Sequence, residues 1–332
     1  MLPNGFLRAL LWLVGSVSLL ANLTVILGRI KSKNHYLERV SLVTTTNKSQ
    51  NLYLLNLAIA DFLMGVYLFA IGIADANFST TYSASFKWRK GIPCKIIGFI
   101  GVVSNVASLL ILSLISLERF FAIVLPFCRR RFGSKLTKST CAVVWVISAV
   151  MALTPMILSD HVEGVFGFSD ICSGLPFVTI PIKEYSEGVP NHEERLQNGT
   201  TGSQDVLESQ WLYSQILYIY FSAACVLVVT MCYVSMFVSV IVTRRLAQRH
   251  ASNAMEIKMA TKMSIIVGTD VFCWVPIIIA GLLTQSGVKM TVDMYAWAVI
   301  VAMPINSALN PFIYTISLMK KKEKNKPSFV SN

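Results

Sequence analysis

The sequence predicts an all-α membrane protein in which seven transmembrane helices form one bundle. Of the 332 residues, 54% are hydrophobic and only 14% are charged, whereas soluble domains carry roughly 25% charged residues. Seven stretches are apolar over about 20 residues or more, the length that an α-helix needs to cross a bilayer. Backbone groups in lipid must be hydrogen-bonded within the protein, so stretches of this length favour helices over the short alternating strands of a barrel.

The seven stretches, numbered span 1 to span 7 along the chain, are expected near residues 6–30, 51–76, 92–124, 139–158, 212–243, 256–285 and 292–317. The apolar run of span 1 continues past Asn22 to Leu27, which is too long for the core of a cleaved signal peptide. Few residues precede it, so we expect no folded domain upstream. Residues 1–319 would form the transmembrane domain, and residues 320–332 a basic cytoplasmic tail.

Basic residues are distributed unevenly between the two sides of the predicted bundle. Twenty Lys and Arg residues lie in or beside the connections after spans 1, 3 and 5 and in the tail, against seven in the alternate connections. The side richer in Lys and Arg faces the cytoplasm, so we expect the N-terminus outside and the C-terminus inside. This arrangement explains the formal charge of +12 without a nucleic-acid partner.

The long connection over residues 159–210 is acidic, with nine Asp and Glu residues against two basic ones. It is the second connection on the outer side. Most of these acids are better explained by solvation of a loop than by contact with a ligand.

Two cysteines lie on the oxidising side of the membrane, Cys94 at the outer end of span 3 and Cys172 in the second outer loop. The other five lie in helices or at their cytosolic ends, where thiols stay reduced or buried. Two outward cysteines have a single pairing, and the predicted disulfide ties span 3 to the loop. Asn77 and Asn198 stand in outward sequons and are candidate glycosylation sites, with Asn77 close to the bilayer.

Two carboxylates lie inside predicted membrane helices, Asp61 in span 2 and Asp270 in span 6. An ionisable group costs several kcal/mol in lipid, so such residues face the interior of the bundle. Neither has a lysine beside it within the membrane. The polar residues of the other spans that can join them in a proton- or cation-binding core are Asn22, Ser104, Ser108, Asn306, Ser307 and Asn310.

Spans 6 and 7 each contain a proline beside a polar or aromatic residue. Pro276 follows Trp274 closely in span 6, and Pro311 follows Asn310 in span 7. Proline removes a helix hydrogen bond and bends the helix. Asn310 can therefore pair either the freed carbonyl or a neighbouring helix.

Charged residues stand at the cytosolic ends of spans 3 and 6. Arg119 has Glu118 next to it and can reach Glu256 across the bundle. Such a pair would tie the two helices together. The alternative is that these are solvated interface charges, which contribute little to stability.

Taken together, the pattern resembles the rhodopsin-like G-protein-coupled receptors over essentially the whole chain. The residues that carry this resemblance are Asn22, Leu57 to Asp61, Cys94 with Cys172, Glu118-Arg119-Phe120, Trp145, Tyr233, Cys273 to Pro276, and Asn310 to Tyr314. Within this class, Asp270, Cys225, Glu-Arg-Phe and Pro304 to Ser307 are similar to the leucine-rich-repeat receptors for relaxin and glycoprotein hormones. The repeat ectodomain of that group is not expected here.

The resemblance implies a plasma-membrane receptor that binds an extracellular ligand and activates a heterotrimeric G protein by outward motion of span 6. In the resting state, Arg119 would pair with two glutamates and Asp270 with an asparagine of span 7. Two tyrosines would support Arg119 after the motion. The residues with these roles correspond to Glu118, Arg119, Tyr233, Glu256, Asp270, Trp274, Pro276, Asn306, Asn310, Pro311 and Tyr314.

The resemblance also bears on ions and ligands. The sodium pocket of the family corresponds to Asp61, Ser108, Asn306 and Ser307, so an allosteric Na⁺ is the one small cofactor expected. An opsin is excluded because the outer half of span 7 has Met303 and Pro304 instead of a lysine, and Gly101 stands where amine receptors have a carboxylate. A peptide or protein that contacts the second outer loop is the expected ligand, with membrane lipids as further partners.

Two other functional classes are weighed against a receptor. A non-signalling or heteromeric receptor partner would fit the missing ectodomain. An ion-coupled transporter would explain Asp61 and Asp270, but the internal repeats of such transporters are not visible. An enzyme is not expected, because no nucleophile–base set, phosphate-binding loop or metal cluster stands out.

Overall fold

The computed structural model describes residues 2, 4–36, 45–79, 82–125, 134–158, 171–173, 213–246, 253–286, 288 and 292–312. Every regular element in these ranges is helical, which agrees with the predicted fold class. The α-helices are α1 (Gly5–Tyr36), α2 (Thr45–Phe78), α3 (Tyr82–Lys90), α4 (Ile92–Ile123), α5 (Ser134–Leu158), α6 (Ser222–Leu246), α7 (Asn253–Gln285) and α8 (Val292–Trp297). π-Helical segments precede α6 (Ile216–Phe221) and follow α8 (Ala298–Ala302), and residues 305–312 are again helical.

These elements account for all seven spans. Helices α1, α2, α4, α5 and α7 correspond to spans 1, 2, 3, 4 and 6. Span 5 consists of the π-helical segment Ile216–Phe221 and α6, and the described part of span 7 consists of α8, its π-helical segment and residues 305–312; each span number below refers to the whole of these elements. Among the described residues, five helices are long and apolar enough to cross a bilayer, and shorter apolar helices lie in spans 6 and 7 over Val271–Gln285 and Ala298–Phe312. The domain boundary expected at residue 319 lies outside the described residues.

Helix α4, which contains span 3, occupies the centre of the bundle. It packs against α2, α5 and α6, and its buried residues run from Cys94 near one end to Arg119 near the other. The extended backbone of Gly91 and a proline in the first turn begin the helix, as expected because proline tolerates that position. Cys94 and the Glu118-Arg119-Phe120 motif therefore lie on one central helix.

Helices α1 and α2 pack closely through a glycine. A Cβ atom added at Gly65 of α2 would lie 2.7 Å from Leu19 Cγ and 2.8 Å from the Leu19 backbone nitrogen of α1. Small residues allow membrane helices to approach closely, which increases their van der Waals contact. Gly65 therefore brings the polar residues of α1 within hydrogen-bonding distance of α2.

The end of the bundle near Cys94 is called the outer end below and the end near Arg119 the cytosolic end, after the orientation that the charge distribution predicts. The outer end has a short helix that the sequence did not predict. In α3, the ring of Trp88 stacks on Phe78 at the end of α2, with 5.6 Å between ring centroids. Trp88 is buried and belongs to the hydrophobic core. The connection between spans 2 and 3 is therefore packed onto the bundle.

Span 5 contains a helical irregularity that begins nine residues before Cys225. Cys225 lies in regular α-helix, but the π-helical segment Ile216–Phe221 ends four residues before it. A π-helical turn is locally wider than an α-helical one and is frequent at functional sites. The helical pattern of span 5 therefore changes in the outer half of the bundle without a proline.

Candidate activation site and buried polar network

Asp61 is the centre of a buried polar network that joins four spans. Its side chain is fully buried, and no basic residue pairs with it in the described part of the chain. Asn310 of span 7 donates from Nδ2 to Asp61 Oδ2 over 2.8 Å. Ser108 of span 3 donates to Asp61 Oδ1 over 3.4 Å, and Ser18 of span 1 donates to the Asp61 carbonyl over 2.9 Å.

Asn310 pairs with a neighbouring helix and not with the carbonyl that Pro311 leaves free. Because Pro311 has no N–H, the carbonyl four residues earlier, that of Ser307, loses its helical donor. Asn22 of span 1 donates from Nδ2 to this carbonyl over 2.9 Å. Asn310 instead donates from Nδ2 to Asp61, so the freed carbonyl and the amide nitrogen beside the proline bond to two different neighbouring helices.

The four residues of the expected sodium pocket are all buried. Asp61 and Ser108 are in contact, whereas the Asn306 Oδ1 atom accepts a long hydrogen bond of 3.5 Å from Thr269 of span 6. Two buried amide oxygens, Asn22 Oδ1 and Asn310 Oδ1, have no hydrogen-bond donor. A carboxylate without a basic partner beside acceptor oxygens without donors is the oxygen-rich environment that a hard cation requires.

Arg119 lies at the cytosolic end of span 3 and is almost completely buried, with 1% of its surface exposed. Its Nη2 atom is 3.5 Å from Glu118 Oε2 and donates to Gln50 Oε1 of span 2 over 3.3 Å. Both contacts are longer than the usual charge-assisted hydrogen bond of about 2.7–2.9 Å. Arg119 is therefore buried without the short, strong bonds that normally accompany a buried guanidinium.

Three polar atoms in this region lack hydrogen bonds. Arg119 Nε, Glu118 Oε2 and the hydroxyl of Tyr233 are buried without a hydrogen bond, although Glu118 Oε2 has its 3.5 Å ion-pair contact with Arg119. Tyr233 lies close enough to Arg119 for an electrostatic interaction. Buried polar groups in folded proteins are nearly always paired, and each exception requires an explanation. A second arrangement that pairs these atoms would explain all three.

Several predicted switch residues fall in spans 6 and 7. Trp274 and Asn306 are buried, and Pro276 lies inside α7 without interrupting it. The side chains of Glu256 and Asp270, and all of Tyr314, lie outside the described residues, so their predicted contacts stay predictions. Thr269, next to Asp270, provides a described hydrogen bond between spans 6 and 7.

On the outer side, the predicted disulfide between Cys94 and Cys172 is confirmed. Cys172 has a left-handed backbone conformation with φ of 51°, and the adjacent Ile171 carbonyl accepts a 2.8 Å hydrogen bond from the Tyr67 hydroxyl of span 2. The Tyr67 ring occupies the space beside Gly101, about 3.0 Å from an added Cβ. The aromatic side chain of Tyr67 thus fills the space beside Gly101.

Two small cavities lie beneath this loop segment. The outer one, of about 10 Å³, is lined by residues that include Tyr67, Gly101, Ser173 and Met303. The inner one, also of about 10 Å³, reaches Trp274. Val102, Asn105 and Tyr218 line both cavities, and the π-helical segments contribute lining residues to them.

The outer half also contains an ion pair that sequence reasoning missed. Arg8 Nε of α1 lies 2.8 Å from Asp75 Oδ2 at the outer end of α2. The other oxygen, Asp75 Oδ1, accepts a 2.9 Å hydrogen bond from the Leu2 backbone nitrogen. An acid near the end of an otherwise apolar span was the available signal, but its partner is 67 residues away in sequence.

Comparisons with known proteins agree with this arrangement. The chain matches the 7 transmembrane receptor (rhodopsin family) over residues 39–175 and 191–314. It therefore belongs to the rhodopsin family of seven-transmembrane receptors, a multi-pass membrane family of signalling receptors and not of enzymes. The predicted family and fold class are confirmed.

Individual relatives point to the same narrower group that the sequence motifs indicate. The chain is 31% identical over 318 residues to the G-protein coupled receptor GRL101 of Lymnaea stagnalis, 29% over 320 residues to relaxin receptor 1 of Mus musculus and 27% over 329 residues to relaxin receptor 2 of Homo sapiens. These alignments cover 96%, 95% and 98% of the chain but only 25%, 37% and 39% of the relatives. The chain thus spans a quarter to two fifths of the length of these receptors.

Proposed function

We propose that this chain is the transmembrane domain of a receptor that responds to an extracellular ligand and activates a heterotrimeric G protein. The observation that carries the proposal is Arg119, a fully buried arginine at the cytosolic end whose contacts are long and whose Nε atom is unpaired. Arg119 is held in the observed arrangement, but its long contacts and its unpaired Nε atom leave that arrangement incompletely stabilised. It is therefore suited to change partners when a G protein binds.

The mechanism follows from two alternative arrangements of the cytosolic end. In the closed arrangement, Glu118 and Glu256 restrain Arg119, and Asp270 bonds Asn306 or Asn310. An outer ligand acts only through its different affinities for the two arrangements. In the open one, span 6 has swung outward about Pro276.

After that motion, aromatic hydroxyls would replace the glutamates around Arg119. Tyr233 has a buried hydroxyl without a partner, and turning it inward would give it one. Tyr314 is proposed to act from span 7 in the same way. The C-terminal helix of a G-protein α-subunit would then occupy the cleft that span 6 opens.

The Asp61 network is proposed to hold a sodium ion in the closed arrangement. Asp61, Ser108, Asn306 and Ser307 would bind it, and the unpaired oxygens of Asn22 and Asn310 provide nearby acceptors. A bound Na⁺ would neutralise the buried carboxylate. Closing the bundle keeps these oxygen atoms near one another, so the ion should favour the closed arrangement.

The ligand is proposed to be a peptide or protein that binds at the outer surface. The relaxin receptors are similar to this chain and are named for a hormone. The outer cavity leaves only about 10 Å³ for a water-sized molecule, far less than the about 300–1,000 Å³ of drug-sized pockets. The residues around Cys172 overlie the bundle through Tyr67, so a large ligand could influence the spans from this loop.

The receptor proposal is tested by measuring G-protein activation. Basal cAMP is measured in cells that express the full chain at the plasma membrane, and nucleotide exchange is measured with a panel of G-protein α-subunits. Arg119→Ala at equal surface expression is the control. We expect ligand-free activity with at least one α-subunit and its loss in Arg119→Ala. Equal signals from the two chains would favour the heteromeric partner instead.

Epitope labelling tests the orientation. We expect an N-terminal tag to be labelled on intact cells and a C-terminal tag only after permeabilisation. Both tags in one compartment would contradict the seven-span topology.

A further inference from the structure

Gln50 of span 2 is the one residue in the described part of the chain that joins Arg119 to another helix by a hydrogen bond. Its Oε1 atom accepts from Arg119 Nη2 over 3.3 Å. Glu118 is adjacent to Arg119 on the same helix, so it moves with Arg119 and cannot by itself hold the arginine against the rest of the bundle. Gln50 can do so, because it belongs to span 2.

The part of span 2 around Gln50 is anchored to span 4. Thr137 Oγ1 donates to Ser49 Oγ over 2.9 Å, and both residues are buried. One turn further on, the hydroxyls of Tyr53 and Thr140 are 3.0 Å apart. Gln50 thus projects from a helix that is fixed on both sides of it.

A third bond extends this anchor deeper into the membrane. Trp145 Nε1 donates to Asn56 Oδ1 over 2.9 Å. Spans 2 and 4 are therefore joined by side-chain hydrogen bonds over about two helical turns. The contact between Gln50 of this joined pair of helices and Arg119 therefore does not depend on the position of span 6.

We propose that Gln50 is a positioning residue that retains Arg119 in the closed arrangement from span 2, separately from any contact with span 6. This inference rests on the proposed function, since it assigns Gln50 a part in the same transition. The neutral amide oxygen accepts a hydrogen bond but does not neutralise the guanidinium. It therefore holds Arg119 less tightly than a carboxylate would and allows its release.

Substitutions at Gln50 should move the equilibrium in opposite directions according to their chemistry. Gln50→Met keeps the length of the side chain but removes the acceptor, so the closed arrangement loses one long hydrogen bond to a charged group. Because this bond is long, we expect it to contribute no more than an ordinary hydrogen bond, so the open-to-closed ratio should be about 5-fold higher. Gln50→Glu adds a second negative charge beside Arg119, so the ratio should fall below that of the parent chain.

Asn51 provides a matched control at the next position. It is an exposed amide whose Oδ1 atom accepts a 2.7 Å hydrogen bond from Arg29 of span 1, and it makes no contact with Arg119. Asn51→Leu removes an amide–arginine bond from the same helix end. It should leave the open-to-closed ratio unchanged.

The experiment uses the full chain in lipid nanodiscs with two separate readouts. Bimane attached through Ala254→Cys, in a Cys128→Ser background, reports the environment of the cytosolic end of span 6 without any partner. Nucleotide exchange by added G protein reports coupling. Both are measured without ligand and per mole of folded chain for the parent, Gln50→Met, Gln50→Glu, Asn51→Leu, Arg119→Met and the double variant Gln50→Met/Arg119→Met.

Opposite bimane shifts for Gln50→Met and Gln50→Glu, together with no effect of Gln50→Met on the Arg119→Met background, would support the inference. Shifts in the same direction, or a Gln50→Met signal equal to that of Asn51→Leu, would overturn it. If bimane responds as expected but no chain stimulates nucleotide exchange, the restraint on Arg119 stands and the proposed receptor function fails. The two readouts thereby separate the two failures.

Discussion

Two arginine–carboxylate pairs, one at each end of the bundle, differ in almost every physical respect. At the outer end, Arg8 Nε is 2.8 Å from Asp75 and is half exposed. At the cytosolic end, Arg119 Nη2 is 3.5 Å from Glu118, and both side chains are buried. The outer pair is short and its arginine reaches solvent although Asp75 is buried, whereas the cytosolic pair is long and neither of its side chains reaches solvent.

The hydrogen bonds around each pair show the consequence of this difference. Both oxygens of Asp75 are engaged, by Arg8 and by the Leu2 backbone. At the cytosolic end, Arg119 Nε and Glu118 Oε2 remain without hydrogen bonds. Unpaired buried groups cost free energy, so an arrangement that pairs them can compete with the one observed, and the cytosolic end is the one suited to switch.

Removing the cytosolic arginine should have the largest effect. Arg119→Ala leaves Glu118 buried without its partner, which typically costs about 3–5 kcal/mol. We expect lost nucleotide exchange and a lower thermal unfolding midpoint, measured in detergent by the reactivity of the buried thiols of Cys141, Cys225, Cys232 and Cys273. An unfolding midpoint equal to that of the parent would show that Glu118 and Arg119 are solvated after all.

Separating α1 from α2 tests whether the outer pair depends on close helix packing. Gly65→Leu places atoms where Leu19 already lies, and overpacking of this kind costs about 1–3 kcal/mol. The same thiol assay should give a lower unfolding midpoint. Gly28→Ala is the control, since nothing lies within 4 Å of an added Cβ there, and an equal loss in both variants would argue against a specific contact.

Asp270→Gly acts on the transition at the cytosolic end. It removes the carboxylate that is proposed to bond span 7 in the closed arrangement, so ligand-free signalling should rise about 5-fold. Basal cAMP at equal surface expression is the measurement. Phe272→Ala, at a side chain that is 80% exposed, is the control and should signal at the parent level. An unchanged basal signal in Asp270→Gly would refute the proposed bond between Asp270 and span 7.

Removing the outer arginine should have the smallest effect. Arg8→Ala removes a half-exposed arginine from a pair whose carboxylate, Asp75, is buried but keeps its hydrogen bond from the Leu2 backbone nitrogen. We therefore expect a cost near the upper end of the about 0–1 kcal/mol of exposed pairs, below the about 3–5 kcal/mol expected for Arg119→Ala. The unfolding midpoint and basal cAMP should therefore change little, and less at high salt because exposed charges are screened. A loss as large as that of Arg119→Ala would remove the distinction between the two ends.

Much of the candidate site was predictable because membrane helices place strong constraints on sequence. Asp61 and Asn310 stand out as polar residues in apolar stretches, and the two outward cysteines have one pairing. The receptor motifs then indicate the family. In each case the signal lies in residue type and position along the chain.

Other parts of the site were not predictable in this way. Gln50 lies at the end of an apolar stretch, where a polar residue is unremarkable, and its role depends on contact with Arg119 across 69 residues. The π-helical segments have no distinctive residue such as proline. The pairing of Asn22 with the Ser307 carbonyl spans 285 residues and required the helices to be placed side by side.

Hydropathy, charge asymmetry and motif order were sufficient to establish seven helices, the family and the disulfide, because lipid excludes unpaired backbone and charge from these stretches. The hydrogen-bond partners of the buried polar side chains were decided by the packing of those helices. Whether Arg119 meets Gln50, and whether Asn310 bonds Asp61, depends on helix rotation and on spacing set by residues such as Gly65. Those quantities arise from many weak contacts between distant segments, which no local pattern in the chain encodes.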